Sequence, residues 1–156
     1  MPEHSLPQQA VLDAIPHRKP FLFIDTIRQL RSDGITCERT LCASESFYEG
    51  HYPGNPITPG VLLCEAVFQA GAIFLSAKLK EDKSFREKTP VLCRIESARF
   101  KKTVLPGDIV TVDVAMRETL QGFHFMSGKV SCNGHLVLTL RFALALVDKL
   151  SPAVVP

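Results

Sequence analysis

The 156-residue sequence contains no tryptophan, no Cys-x-x-Cys pair and no long run of basic residues. Its five cysteines are odd in number and scattered, which favours neither a disulfide framework nor a metal site such as zinc. With no basic run and a formal net charge of +2, nothing in the sequence supports nucleic-acid binding. Hydrophobic residues make up 46% of the chain, which disfavours disorder. We expect a folded cytoplasmic protein whose cysteines are small core residues.

The length suits one domain over residues 1–156, with a helical segment over 1–16 and a loose tail over 151–156. The N-terminus carries an acid and two prolines where an export signal has a basic start and an apolar run, so we expect no signal. Residues 61–77 form the one long apolar run, but a membrane span needs about 20 apolar residues and disfavours a carboxylate such as Glu65. We expect a buried helix and no membrane span.

Turn residues divide the chain into short elements. The patterns predict a helix over 7–15, strands over 21–30 and 35–43, an irregular loop over 45–58, a long helix from Pro59-Gly60, and strands over 91–104, 109–117, 123–132 and 136–147. A helix that is apolar on nearly every side must be enclosed, and a curved antiparallel sheet of about six strands can enclose it. The predicted class is α+β, in the arrangement called the hot-dog fold.

Reactive groups concentrate around the start of the long helix. His51 lies in a loop rich in glycine and proline, Gly60 lies in the first helical turn, and Glu65 follows about one and a half turns later. The N–H groups of a first turn have no intrahelical partner and lie at the positive end of the helix dipole. A base, an oxyanion donor and a carboxyl group are thus expected near one helix terminus, with Gln69 on the same face as Glu65.

Each of these residues also has an ordinary interpretation. A histidine in a loop is commonly a surface residue, and a carboxylate on an apolar helix can belong to a structural ion pair. Cys64 has no His or Asp beside it in the sequence and is interpreted as a core cysteine, not a nucleophile. The histidines without a partner pattern, to which no role is assigned, are His4, His17, His124 and His135.

The stretch GHYPGNPITPGVLLCEAVFQAG, residues 50–71, closely resembles the signature of the FabZ-like β-hydroxyacyl-acyl carrier protein dehydratases, which have the hot-dog fold. Two further blocks, IPHRKPFLFID over 15–25 and IESARFKKTVLPGD over 95–108, match the same family in order and spacing. The departures from the family's usual form bear on the shape of the acyl pocket and are Tyr52, Ile57-Thr58 and Phe68.

The resemblance implies a hydro-lyase of fatty acid or related lipid biosynthesis that needs no cofactor and no metal. A (3R)-3-hydroxyacyl group on acyl carrier protein would lose water to give a trans-2-enoyl thioester. His51 would remove the C2 proton, and Glu65 would protonate the departing hydroxyl. The oxyanion and substrate-binding positions would be Gly60, whose N–H would polarise the thioester carbonyl, and Val61.

The same resemblance implies a homodimer, with further assembly into a trimer of dimers, in which His and Glu of one site come from different chains. An acyl tunnel would run along the dimer interface, lined by Phe47 and Phe68. Acyl carrier proteins are acidic, so a basic contact surface is expected. The residues predicted to form it are Arg94, Arg99, Lys101 and Lys102. Two alternatives remain open, a hot-dog acyl thioesterase and a non-catalytic acyl-chain-binding protein.

Overall fold

The computed structural model describes residues 5–149, and the predicted tail over 151–156 lies outside them. The described residues form six strands, β1 (Thr26–Leu30), β2 (Gly34–Thr40), β3 (Lys88–Phe100), β4 (Ile109–Leu120), β5 (Phe123–Cys132) and β6 (His135–Asp148). They also form helices α1 (Gln8–Ala14), α2 (Phe47–Gly50) and α3 (Gly60–Lys78), and a 3-10 helix (Lys83–Glu87). All strand pairs are antiparallel, in the order β1-β2-β4-β5-β6-β3. The predicted α+β arrangement is confirmed.

Helix α3 fills the core of this arrangement. It packs against β2, β3, β4, β5 and β6, and Ile73, Phe74 and Leu75 in its C-terminal half are almost completely buried. The helix is long and apolar enough to cross a membrane, but 67% of its apolar window is buried inside the fold. Helix and sheet approach closely because Gly71 faces Met126 and a side chain at Gly128 would collide with the helix. The burial identifies α3 as a core helix.

The first predicted strand is partly wrong. The prediction placed a strand over 21–30, but β1 begins only at Thr26. Residues Leu22, Phe23 and Ile24 are nevertheless buried, and the Phe23 N–H donates to a helix side chain in place of a neighbouring strand. The β-branched and aromatic composition of this segment therefore reflects burial without sheet pairing.

Smaller corrections concern one predicted loop and the ends of two predicted strands. The loop predicted over 45–58 contains the short helix α2. The strand predicted over 35–43 ends at Thr40, where the chain leaves the sheet. The strand predicted over 91–104 is shifted to Lys88–Phe100, because its pairing with β6 already begins at Lys88 opposite Asp148.

Strand β3 forms an edge of the sheet. It is 13 residues long, it pairs with β6 on one side only, and most of its residues are exposed. Its exposed apolar side chains include Val91, Leu92, Ile95 and Phe100. A long apolar edge strand with unpaired backbone groups is a ready template for pairing with another chain. The opposite edge, β1, has only five residues.

Candidate active site

His51 follows directly after α2, at the start of the loop that leads to α3. Its backbone N–H donates to the carbonyl of Phe47, at 3.1 Å, and its ring atom Nδ1 lies 2.8 Å from the carbonyl oxygen of Ile57. A carbonyl can only accept, so Nδ1 carries the hydrogen in this bond. In the neutral ring, Nε2 then keeps its lone pair free. The half-buried imidazole is therefore oriented to act as a general base through Nε2.

A network of charged side chains around the buried Arg39 holds the segment that precedes α2. The guanidinium of Arg39 donates to Asp25 at 2.9 Å and to Glu45, and the other carboxylate oxygen of Asp25 accepts the backbone N–H of Thr40 at 2.7 Å. Arg39 is buried, so loss of either partner would leave a poorly compensated charge. The network fixes Glu45, two residues before the start of α2. Sequence reasoning missed it, because no local pattern links these residues.

Glu65 lies on the first turns of α3 and contacts a different part of the chain. Its Oε1 accepts a hydrogen bond from Gln69 Nε2 at 3.0 Å and lies 3.7 Å from His17 Nε2. The side chain keeps 21% of its surface exposed. Among the described residues, the contacts of the carboxyl group all use Oε1, so Oε2 is open to a substrate group.

Gln69 positions this carboxyl group. It is only 1% exposed, and its Oε1 accepts from the backbone N–H of Phe23 at 2.8 Å. Its Nε2 donates to the carbonyl of Phe21 at 3.0 Å as well as to Glu65. Only an amide offers one acceptor and two donors in this geometry. Gln69 thus joins α3, the extended segment before β1 and the acid in one network.

Sequence reasoning assigned no role to His17, which the structure places beside Glu65. Its Nε2 faces the carboxylate, while its buried Nδ1 has no hydrogen-bond partner among the described residues. The available signal was its position in the block over 15–25, which also supplies the backbone groups bound by Gln69. His17 and Gln69 together surround one side of the acid.

The start of α3 offers two unused donors. The N–H groups of Leu62 and Leu63 donate to the carbonyl of Pro59, whereas those of Gly60 and Val61 have no partner among the described residues. A Cβ atom on Gly60 would lie 2.7 Å from the ring of Phe100, which packs against this glycine. Glycine therefore permits close approach at a terminus that can stabilise a developing oxyanion.

The structure does not bring all the predicted site residues together. Within residues 5–149, no hydrogen bond or ion pair joins His51 to Glu65. Phe47 packs near Phe23, with ring centroids 6.4 Å apart, and Phe68 is buried against Phe142, at 5.2 Å. In one chain, His51 and Glu65 are thus held by separate sets of contacts.

The predicted carrier-contact residues lie in two places, on the face of β3 that points away from α3 and in the segment that follows β3. In β3, Arg99 pairs with the partly buried Thr139, whereas Phe100 pairs with the buried Leu138. Arg99 thus faces away from the helix, and the guanidinium of Arg94 lies 6.0 Å from the ring of Phe125. The other two residues follow directly after Phe100 and are exposed, namely Lys101 and Lys102.

Comparisons with known proteins identify relatives of the chain. The model of a FabA-like domain matches residues 15–141. The chain is 34% identical over 136 residues to the 3-hydroxyacyl-(acyl-carrier-protein) dehydratase FabZ of Clostridium perfringens, an alignment that covers 83% of this chain and 95% of that protein.

Solved structures share the fold at low identity. The dehydratase heterocomplex ApeI:P from Xenorhabdus doucetiae matches with a TM-score of 0.73 and 17% identity, over 92% of this chain and 93% of that one. A hypothetical thioesterase with coenzyme A from Streptococcus pneumoniae matches with a TM-score of 0.59 and 12% identity, over 80% and 90%. Each structural similarity establishes only that this chain has the hot-dog fold.

Replacing Gln69 by methionine tests the network around the acid. Gln69→Met leaves the buried N–H of Phe23 and carbonyl of Phe21 without their partner, so we expect the free energy of unfolding to fall by about 3 kcal/mol. The matched control is Gln9→Met, because Gln9 bonds Asp13 on the exposed face of α1; there we expect a change within about 0.5 kcal/mol. Equal losses in urea unfolding would contradict the role given to Gln69.

Proposed function

This chain belongs to the family of FabZ-type 3-hydroxyacyl-(acyl-carrier-protein) dehydratases, and we propose that it removes water from a (3R)-3-hydroxyacyl thioester with His51 as base and Glu65 as acid. The observation that carries these roles is the His51–Ile57 hydrogen bond, which leaves Nε2 free to take a proton. The product is a trans-2-enoyl thioester. The reaction belongs to fatty acid or related lipid biosynthesis in the cytoplasm.

The first half of the reaction uses the base and the helix terminus. His51 Nε2 takes the C2 proton, and the electron pair of that C–H bond moves toward the thioester carbonyl. The N–H groups of Gly60 and Val61 donate to the carbonyl oxygen as negative charge develops there. Donors fixed before the reaction stabilise such charge without having to reorganise.

The second half uses the acid. Glu65, in its protonated form, donates from Oε2 to the C3 hydroxyl, the C3–O bond breaks, and water leaves. The electron pair shared between C2 and the carbonyl oxygen then forms the double bond between C2 and C3. The proton gained by His51 returns to solvent, and Glu65 takes up another for the next turnover. Gln69, bonded to Oε1, keeps Oε2 directed at the substrate.

The two groups meet in a dimer in this proposal. Support comes from the absence of a hydrogen bond or ion pair between them within residues 5–149 and from β3, whose 13 residues form an exposed edge. Edge-to-edge pairing of β3 with its copy would continue the sheet and cover Val91, Leu92 and Ile95. The base of one chain then faces the acid of its partner. Phe47 and Phe68 line the acyl tunnel, and three dimers assemble into a hexamer.

Two alternatives have less support. The thioesterase likeness rests on 12% identity and concerns the fold, whereas the relative at 34% identity is named a dehydratase. An acyl-chain-binding protein without activity would not need both a free imidazole nitrogen and a carboxyl group held by a buried glutamine. The arrangement therefore favours elimination of water.

The assay that tests this function is hydration of a 2-enoyl thioester, the reverse reaction, followed by loss of enoyl absorbance. We expect His51→Ala and Glu65→Gln each to lower kcat/KM about 10³-fold, because each removes a proton-transfer group. The matched controls are His135→Ala and Glu81→Gln, which change exposed residues. Both controls should keep wild-type activity.

The outcomes of this assay separate the three functions. Release of free thiol without hydration would identify a thioesterase and overturn the dehydratase proposal. Binding of the thioester without turnover would identify an acyl-chain-binding protein. Hydration that survives in both site variants would refute the roles of His51 and Glu65 while leaving the reaction itself in place.

We further propose that the acyl carrier protein contacts Lys101 and Lys102, since they follow Phe100, whose ring lies against Gly60 at the start of α3. Arg94 and Arg99, on the other face of β3, add positive charge near this contact without forming part of it. The double variant Lys101→Glu/Lys102→Glu should raise KM for a carrier-bound substrate about tenfold, because acidic partners are repelled. KM for the same acyl group on pantetheine alone should stay within about twofold. The comparison isolates the contribution of the carrier.

A second basic surface provides the matched control. A cleft of about 740 Å³ between α1, the end of α3 and the start of β3 is lined by Arg86 and Lys88 among other cations. The variant Arg86→Glu/Lys88→Glu should leave both KM values near wild type. A rise in the carrier-bound KM for this control alone would place the carrier at the cleft and refute the contact at Lys101 and Lys102.

A further inference from the structure

Two buried hydroxyl groups face each other inside the loop that carries His51. Tyr48 Oη and Thr58 Oγ1 lie 2.6 Å apart, and their residues are only 7% and 5% exposed. The mechanism above uses neither group. A buried hydroxyl bond of this kind is costly to break on one side only, because the remaining hydroxyl loses its partner.

The Tyr48–Thr58 bond connects the helix that precedes His51 to the residue that follows Ile57, the hydrogen-bond partner of the His51 ring. Tyr48 lies on α2, three residues before His51. Thr58 directly follows Ile57, whose carbonyl accepts from His51 Nδ1. Thr58 is also held from outside the loop, since its N–H donates to the carbonyl of Val104 at 2.8 Å. The Tyr48–Thr58 bond therefore links the segment that carries the donor, His51, to the segment that carries the acceptor, Ile57.

The loop itself offers little other support. Helix α2 has only four residues, and Tyr52 and Gly54 adopt positive φ angles of 58° and 81°. Between Tyr52 and Ile57, the backbone hydrogen bond among the described residues joins the N–H of Asn55 to the carbonyl of Tyr52. A short helix and an irregular turn cannot fix the Ile57 carbonyl alone. The Thr58 N–H belongs to the same peptide group as the Ile57 carbonyl, so its bond to Val104 orients that carbonyl. The hydroxyl bond adds a direct link from this group to α2, the helix that ends just before His51.

Resting on the proposed function, in which His51 is the base, we propose that the Tyr48–Thr58 hydroxyl bond is the positioning device that holds the Ile57 carbonyl against His51 Nδ1. It keeps the hydrogen on Nδ1 and the lone pair on Nε2. Tyr48 and Thr58 are positioning residues, since they act through Ile57 and touch no reacting atom.

Single substitutions test the effect on turnover. Tyr48→Phe and Thr58→Val each remove one hydroxyl while keeping the shape of the side chain, and each should lower kcat for hydration about tenfold to 100-fold with KM within about twofold. Thr58→Ser keeps the hydroxyl and should retain wild-type kcat. The control is Thr36→Val, which removes a partly buried hydroxyl that bonds Asp113 in the sheet. The kcat of this variant should be unchanged.

The nitrogen resonances of the His51 ring provide a readout independent of turnover. In ¹⁵N-labelled protein above pH 8, where an ordinary histidine is neutral, these shifts show which ring nitrogen carries the hydrogen. Wild type and Thr58→Ser should show hydrogen on Nδ1. Tyr48→Phe and Thr58→Val should show a mixture of both tautomers, and His51→Ala identifies the signal.

The double variant Tyr48→Phe/Thr58→Val separates positioning from stability. Without either hydroxyl no unpaired group is left buried, so folding stability should recover. Under the proposal, kcat and the tautomer mixture stay as in the single variants. Recovery of wild-type kcat in the double variant, or an unchanged Nδ1 tautomer in all variants, would overturn the positioning role. A wild-type protein that fails to hydrate would instead refute the proposed function.

Discussion

Helix α3 carries Glu65 and Gln69 into an apolar core, where polar groups are costly unless they are hydrogen-bonded. Gln69 meets this requirement by bonding the backbone of Phe21 and Phe23, which brings the extended segment before β1 against the helix. The same amide bonds Glu65. The hydrogen bonds of Gln69 thus hold the segment before β1 against the helix, where it does not pair with a strand. They also fix the orientation of the Glu65 carboxyl group.

His51, the proposed base, is held by a different set of contacts. Glu65 lies on a rigid buried helix, whereas His51 lies on an irregular loop and depends on side chains for its position. Arg39 fixes the chain before α2 through Asp25 and Glu45, and the Ile57 carbonyl fixes the ring. Sites on loops need such supporting contacts, because small displacements of a reacting group reduce its effectiveness strongly.

Local signals in the sequence predicted much of the fold. Pro59-Gly60 marks the start of α3, and the turns at Gln121-Gly122 and Asn133-Gly134 adopt the positive φ angles that such pairs favour. The prediction that the first strand begins at residue 21 was wrong, because amino-acid composition does not distinguish a buried extended segment from a paired strand. The contacts of Arg39 and the Tyr48–Thr58 bond join residues that are not close neighbours in the sequence, so no short pattern contains them. His17 lies in the block over 15–25, but its contact with Glu65 is visible only in the fold. The pairing of His51 with Glu65 came from family resemblance.

In the proposed dimer, one site draws its base from one chain and its acid from the partner. The direct test mixes His51→Ala and Glu65→Gln subunits, each inactive alone, under conditions that allow exchange. A shared site predicts recovery of about a quarter of wild-type hydration, since about half of the dimers are mixed and each mixed dimer holds one intact site. A site within one chain predicts no recovery. Absence of hydration in a mixture shown to contain mixed dimers would contradict the claim.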